Sequence, residues 1–225
     1  VAFELAEHLC EALTRLSDAE RPLATQILYL AGRQALDKGA AGTAAHYLGV
    51  ARDLITTRDW EERFDLVFDI RRSSAEAAFQ LRQYDLALEL LELPVGRTLD
   101  PLRDAQLVSQ RITVYTLARP NHAIDVSLAA LRKFGIRWPR KPSLLRVWLD
   151  IVRTDWLLRG ALDKDTFSLR SGGDITWVAP VMVLRAAGGP MTQHWNRLTC
   201  LSAAYALRAF RRHGTIGSPS LALAS

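Results

Sequence analysis

The sequence predicts an all-α protein of stacked antiparallel helix pairs, and three observations carry that prediction. Ala, Leu and Arg dominate its 225 residues and β-branched runs are few, a composition that favours helix. Gly and Pro punctuate the chain about every 15–20 residues, as a series of short helices requires. Between those breaks, apolar residues recur at the three-and-four spacing of one helix face. Hydrophobic residues make up 49% and charged residues 24%, which supplies a core and excludes wholesale disorder.

The elements follow in order. Phe3 to Leu16 reads as a first helix, with Phe3, Ala6, Leu9, Cys10, Leu13 and Leu16 on one face. Asp18 is the expected cap of a second, Leu23 to Lys38, with Pro22 in its first turn and Gly39 at its end. Gly42 or Thr43 opens a third, through Leu54. Asp59 opens a long helix, Trp60 to Leu81, and Tyr84 to Leu93 follows after a short turn. Asp100-Pro101 starts the next, ending near Ala118, and His122 to Phe134 follows and stops at Gly135. Ser143 caps Leu144 to Arg159. Asp174, after the loop Ser171-Gly172-Gly173, caps a helix to Ala187 that ends at Gly188-Gly189-Pro190. Thr192 to His213 is the last long helix, and the segment after Gly214 reads as a frayed or truncated end.

Repeats are sought before sites. A tetratricopeptide unit is a helix pair of about 34 residues, with small residues where the helices cross and a larger residue near the turn. Three stretches fit in part. In the first, Gly32 and Ala44 form the expected close crossing and Gly39 the turn. In the second, Tyr84 and Ala87 stand at the turn and the crossing. In the third, Ala118-Arg119-Pro120 precedes Ala123. The alanines Ala44, Ala87 and Ala123 lie 43 and 36 residues apart, longer than the standard unit. The expected architecture is therefore a tetratricopeptide-like α-α superhelix, a solenoid whose concave face binds peptides, domains or small effectors. An irregular helical domain is the plain alternative.

Net charge is +5 but unevenly spread. Residues 1–131 hold 14 Lys+Arg against 19 Asp+Glu; residues 132–225 hold 15 against 5. Arg132, Lys133, Arg137, Arg140, Lys141 and Arg146 form a basic stretch without an acid. It reads either as an anion patch or as a solvated linker beside a helix C-terminus, where cations are favoured. The Pro-bracketed segment 136–143 is the expected linker between helical repeats at 1–135 and further hairpins at 144–225. Trp138, Trp148 and Trp156 beside it could stack on bases, but Leu144, Leu145, Trp148, Ile151 and Val152 follow helical spacing, which points to core packing. The same helix is apolar enough to lie on a membrane surface, although its mixed charges form no clean cationic face.

No motif for catalysis is found. None of the four lysines stands in GxxxxGK[ST], and no Gly-x-Ser-x-Gly elbow exists. The five histidines form no ligand spacing. His8 and His46 lie in helices among apolar neighbours, which suggests hydrogen-bonded packing. Glu61-Glu62 fits a helix N-terminal turn and Asp163-x-Asp165 a solvated loop. Cys10 and Cys200 form no pair motif and read as free, mostly buried thiols in a reducing compartment, so a cytoplasmic protein is expected. No run of about 18 uncharged apolar residues predicts a transmembrane helix. No catalytic, cofactor or metal residue is assigned.

The order of several segments resembles a known family. Glu4-Leu5-Ala6-Glu7-His8-Leu9, then Leu30-Ala31-Gly32-Arg33-Gln34-Ala35, Asp59-Trp60-Glu61, and Leu131-Arg132-Lys133-Phe134-Gly135-Ile136-Arg137-Trp138-Pro139 carry the likeness. They resemble the helical-repeat segment of large bacterial signalling proteins with a STAND/AAA-like ATPase module, which often also hold serine/threonine kinase-like, GAF and histidine-kinase domains. The likeness covers about residues 4–216 and is loose between 160 and 200. It implies a non-catalytic regulatory module whose partners are neighbouring domains of the same polypeptide, with a small effector possible on the concave face. A STAND-type transcription activator, with the same repeat region as effector sensor, is the alternative. Direct nucleic-acid binding by the basic half is a third and weaker reading.

Overall fold

The computed structural model describes residues 2–13, 16–93, 100–159, 177–194 and 196–213. All regular structure among them is helical. Eleven helices run in order: α1 (Ala2–Ala12), α2 (Arg21–Asp37), α3 (Ala41–Asp53), α4 (Asp59–Glu62), α5 (Phe64–Gln80), α6 (Tyr84–Leu90), α7 (Pro101–Ala118), α8 (Pro120–Lys133), α9 (Leu144–Arg159), α10 (Val178–His194) and α11 (Asn196–His213). The chain forms two compact units, residues 1–97 and 98–225. The division thus falls before α7, not at 135/136 as the proline-bracketed segment suggested. That segment is no solvated linker: Ile136, Trp138 and Pro142 are buried, and Trp138 sets its ring edge-on to Tyr205 of α11 at 6.3 Å. Burial of this apolar surface outweighs the local signal of Pro and Arg.

In the first unit, α2 packs on α3 and α5 on α6, each pair joined by a three-residue connection, and α3 packs on α5. Leu28, Ala31, Tyr47, Ala51 and Ile70 form one core cluster with Ala6 of α1. Ala35, Leu36, Ala44, Leu48 and Ala77 form another. Arg33 of α2 reaches Glu76 of α5 at 3.0 Å, tying the two hairpins across their flank.

Several expected helix boundaries in this unit differ from those observed: α1 ends at Ala12 rather than Leu16, and α6 at Leu90 rather than Leu93. The start of α2 is held by Ser17, not Asp18. The Ser17 N–H and hydroxyl both donate to the Glu20 carboxylate, at 3.0 and 2.6 Å, and the Ser17 carbonyl accepts from Arg21. The helix expected over Trp60 to Leu81 breaks at Arg63, whose backbone leaves the helical region at φ −133°, ψ 38°. Its guanidinium bonds Asp59 of α4 at 3.2 Å and the Pro22 carbonyl at 2.9 Å, contacts that hold the break.

In the second unit, Asp100 caps α7 as expected, accepting from the N–H groups of Leu102 and Arg103. Helices α7, α8 and α10 share a core of Val108, Ile112, Ile124, Leu131, Val183 and Met191. Helix α10 does not stop at Gly188-Gly189-Pro190; it runs through them. Val183, Leu184, Ala187 and Met191 form one buried face that extends past the proline, so packing against α7 and α8 overrides the local stop signal. Just past the proline, the Thr192 hydroxyl donates in a shared bond to the carbonyls of Gly188 and Gly189, both at 2.9 Å. The loop 171–174, the acids Asp163 and Asp165, and the tail after His213 lie outside the described residues.

Candidate functional site

Two features carry functional potential, one in each unit. The first is a repeated helix hairpin. Helix α2 ends in a Schellman turn, in which Ala40 N–H donates to the Ala35 carbonyl at 2.9 Å and Gly39 sits at φ +73°. Helix α5 ends the same way: Gln83 N–H donates to Ala78 at 2.8 Å, and Arg82 sits at φ +60°. The next residues match too. Ala40 caps α3 at φ −87°, ψ 64°, and Gln83 caps α6 at φ −86°, ψ 66°. The offset throughout is 43 residues. It pairs Gly32 with Ala75, Ala35 with Ala78, Ala44 with Ala87 and Leu48 with Leu91.

Of the sequence-assigned packing residues, Gly32, Gly39, Ala44, Tyr84 and Ala87 lie in these two hairpins, and Ala123 lies outside them, near the start of α8. Ala44, Ala87 and Ala123 are each fully buried, and each is the fourth residue past its helix cap, donating to the carbonyls of Ala40, Gln83 and Arg119 respectively. Tyr84 opens α6 and tilts against Phe79 at 6.0 Å. Gly32 stands at a close crossing, but its tightest neighbour is Leu48: a Cβ there would lie 2.5 Å from Leu48 Cγ. The α7–α8 connection departs from the pattern. It is a single extended residue, Arg119 at φ −150°, with no left-handed turn. The turn at Arg82 and Gln83 was expected from the sequence; its left-handed geometry follows from the 43-residue offset, since Gly39 shifted by that amount lands on Arg82, although glycine is the usual occupant.

Helix α6 has a side-chain cap that the sequence did not suggest. The Arg71 guanidinium of α5 donates to the carbonyls of Leu90, Glu89 and Glu92 at 3.2, 3.2 and 2.8 Å, and faces the Trp60 ring at 5.8 Å. Burial, together with the neighbouring Arg52, holds its pKa below the usual arginine value.

The second feature is the basic segment with α9. The six cations do not form an unopposed patch. Lys133 pairs with Asp104 of α7 at 2.9 Å, and Arg140 pairs with Asp125 of α8 at 3.2 Å. Arg146 donates to the Arg137 carbonyl at 3.0 Å. Arg132, Arg137 and Lys141 are exposed on the surface. The acids come from other helices, 29 and 15 residues away, so the run of sequence could not reveal them.

Helix α9 reverses the expected packing. Leu144, Leu145, Trp148, Ile151 and Val152 are exposed, with Leu149 and Trp156; Trp148 is 58% and Trp156 74% exposed. The face turned inward holds Val147, Asp150 and Thr154. Arg208 of α11 donates to Asp150 Oδ1 at 3.0 Å and to Thr154 Oγ1 at 2.9 Å. A half-buried charge-assisted network holds this face inward, and periodicity of apolar residues alone cannot see it.

The histidines and thiols are also repositioned. His8 is 80% exposed beside Glu11 at 3.9 Å, and His46 and His122 are exposed too, so none of the three is a core histidine. Cys10 is half-buried, and burial, with Glu7 nearby, pushes its thiol pKa up; Cys200 is exposed. Among the described residues, no group of three His, Cys, Asp or Glu side chains is placed to hold a metal ion, and no helix is long and apolar enough to cross a membrane. Compared with protein-family models, curated proteins and solved structures, the chain matches none.

Proposed function

We propose that this chain is a tetratricopeptide-like interaction module, the regulatory helical-repeat segment of a larger ATPase-linked signalling kinase. It acts by binding neighbouring domains of the same polypeptide, or a small effector, and so changes how the ATPase and output domains dock. The observation that supports this reading best is the duplicated hairpin in the first unit, with the same turn, cap and buried alanine at a 43-residue offset. Repeated helix pairs bury one face against the next pair and leave another for partners. The alternative, the effector-sensing region of a STAND-type transcription activator, shares the fold and differs in its output domain.

Titration of this chain against the adjoining ATPase domain of its parent polypeptide tests the reading. Nucleotide-dependent binding, with a changed ATPase rate when the segment is deleted, is the expected result. No binding and an unchanged rate would remove the regulatory role. Direct nucleic-acid binding is the weaker reading because acids already pair Lys133 and Arg140. A labelled duplex without salt-dependent affinity would eliminate it.

A further inference from the structure

Helix α9 presents an amphipathic face outward and is held that way. Leu145, Trp148, Leu149, Val152 and Trp156 follow the spacing of one helix face, and all are at least 44% exposed. With Leu144 and Ile151 they offer roughly 800 Å² of accessible surface, beyond the largest patch of an ordinary monomer. The orientation is fixed from behind. Turning α9 to bury its tryptophans would strip Arg208, only 22% exposed, of both Asp150 and Thr154. The apolar face is therefore built to stay outside.

Charge selects the occupant. Arg146 and Arg153 are exposed along one edge of the apolar arc, and Arg137 is exposed on the approach to the helix. Asp155, the acid on the apolar side, is neutralised by Arg159 at 2.8 Å. The second unit as a whole carries 18 Lys+Arg against 8 Asp+Glu. A second copy is a poor match, because an antiparallel two-fold pairing of α9 with itself brings one cationic edge alongside its own equivalent. An apolar arc bearing tryptophan, edged by arginine, matches the boundary between acyl chains and anionic headgroups.

We propose that α9 seats the second unit on an anionic lipid bilayer, its apolar arc in the headgroup–acyl boundary and Arg137, Arg146 and Arg153 against lipid phosphates. Co-sedimentation of the full chain with vesicles about one-third phosphatidylglycerol, against pure phosphatidylcholine, tests it. The expected result is binding to the anionic vesicles that falls about tenfold on neutral vesicles, about tenfold in Leu149→Glu, and in step with added salt. Arg146→Glu with Arg153→Glu should weaken binding as well. All three positions are exposed, so helical circular dichroism should match wild type, and so should the melting temperature of Leu149→Glu, whereas the arginine pair also loses the Arg146 bond to the Arg137 carbonyl. Binding unchanged by Leu149→Glu would overturn the proposal, as would no binding at all. A concentration-dependent dimer that Leu149→Glu dissolves, with no vesicle binding, would assign the face to self-association instead.

Discussion

Gly39 and Arg82 occupy the same left-handed turn position, 43 residues apart, each followed by a helix cap of nearly identical backbone angles. Only one is a glycine. The left-handed region costs a side-chain-bearing residue roughly 1 kcal/mol or more, so the second hairpin carries strain that the first does not.

Replacing each residue by the other's kind should therefore have opposite effects. Gly39→Ala should destabilise the chain by about 1 kcal/mol through backbone conformation alone, since a Cβ at Gly39 meets nothing within 4 Å. Arg82→Gly should stabilise it by up to about 1 kcal/mol. Urea denaturation of the two variants checks this. A destabilised Arg82→Gly would mean that the arginine side chain contributes more than its backbone costs.

Gly32 and Leu48 should couple. Gly32→Ala forces its methyl into Leu48 and should cost about 1–3 kcal/mol. Combined with Leu48→Ala, which opens the space, the cost should be less than the sum of the single variants. Strict additivity in the double-mutant cycle would show that the two side chains do not share the crossing. Ala87→Trp, at the equivalent crossing of α5 and α6, should overpack by a similar amount.

Acid should weaken the first unit partly through Asp59. Burial pushes its carboxyl pKa up, but the Thr56 N–H and hydroxyl and the Arg63 guanidinium together outweigh it, leaving the pKa below its ordinary 3.8. The stability this gives is fully present above the unfolded value and disappears as pH falls through the folded one. Asp59→Asn should lower the melting temperature at neutral pH and flatten its decline toward pH 3. An unchanged acid limb in the variant would show that Asp59 does not contribute to it.

The two thiols should differ in reactivity. Burial, with Glu7 beside it, pushes the Cys10 thiol pKa up and covers part of the sulfur's surroundings, whereas Cys200 is exposed. A thiol reagent near pH 8 should label Cys200 first and Cys10 only slowly. Equal rates would show that α1 opens readily.

Legibility in the sequence followed the range of the interactions. Helix existence was legible almost throughout, and α9 ran over Leu144–Arg159 as expected, because capping and periodicity act within a few residues. The buried alanines were legible through their spacing. What escaped notice depended on distant partners. Arg63 breaks a helix by reaching Pro22, and α10 continues past Pro190 because Met191 is buried. Helix α9 showed the limit most clearly. Its apolar stripe was visible, but Arg208, 58 residues from Asp150, decided which way the stripe faces.

In the first unit each helix rests chiefly on one that is near it in the chain: α1 on α2, α2 on α3, α3 on α5, and α5 on α6. Such a unit closes only short loops to reach its native contacts, and short loops cost the least entropy to close. Its folding should be fast, and α2 with α3 can assemble before α5 and α6 have left the ribosome. The 43-residue offset is thus also a unit of synthesis: each hairpin emerges with its own turn and cap before the next one is made.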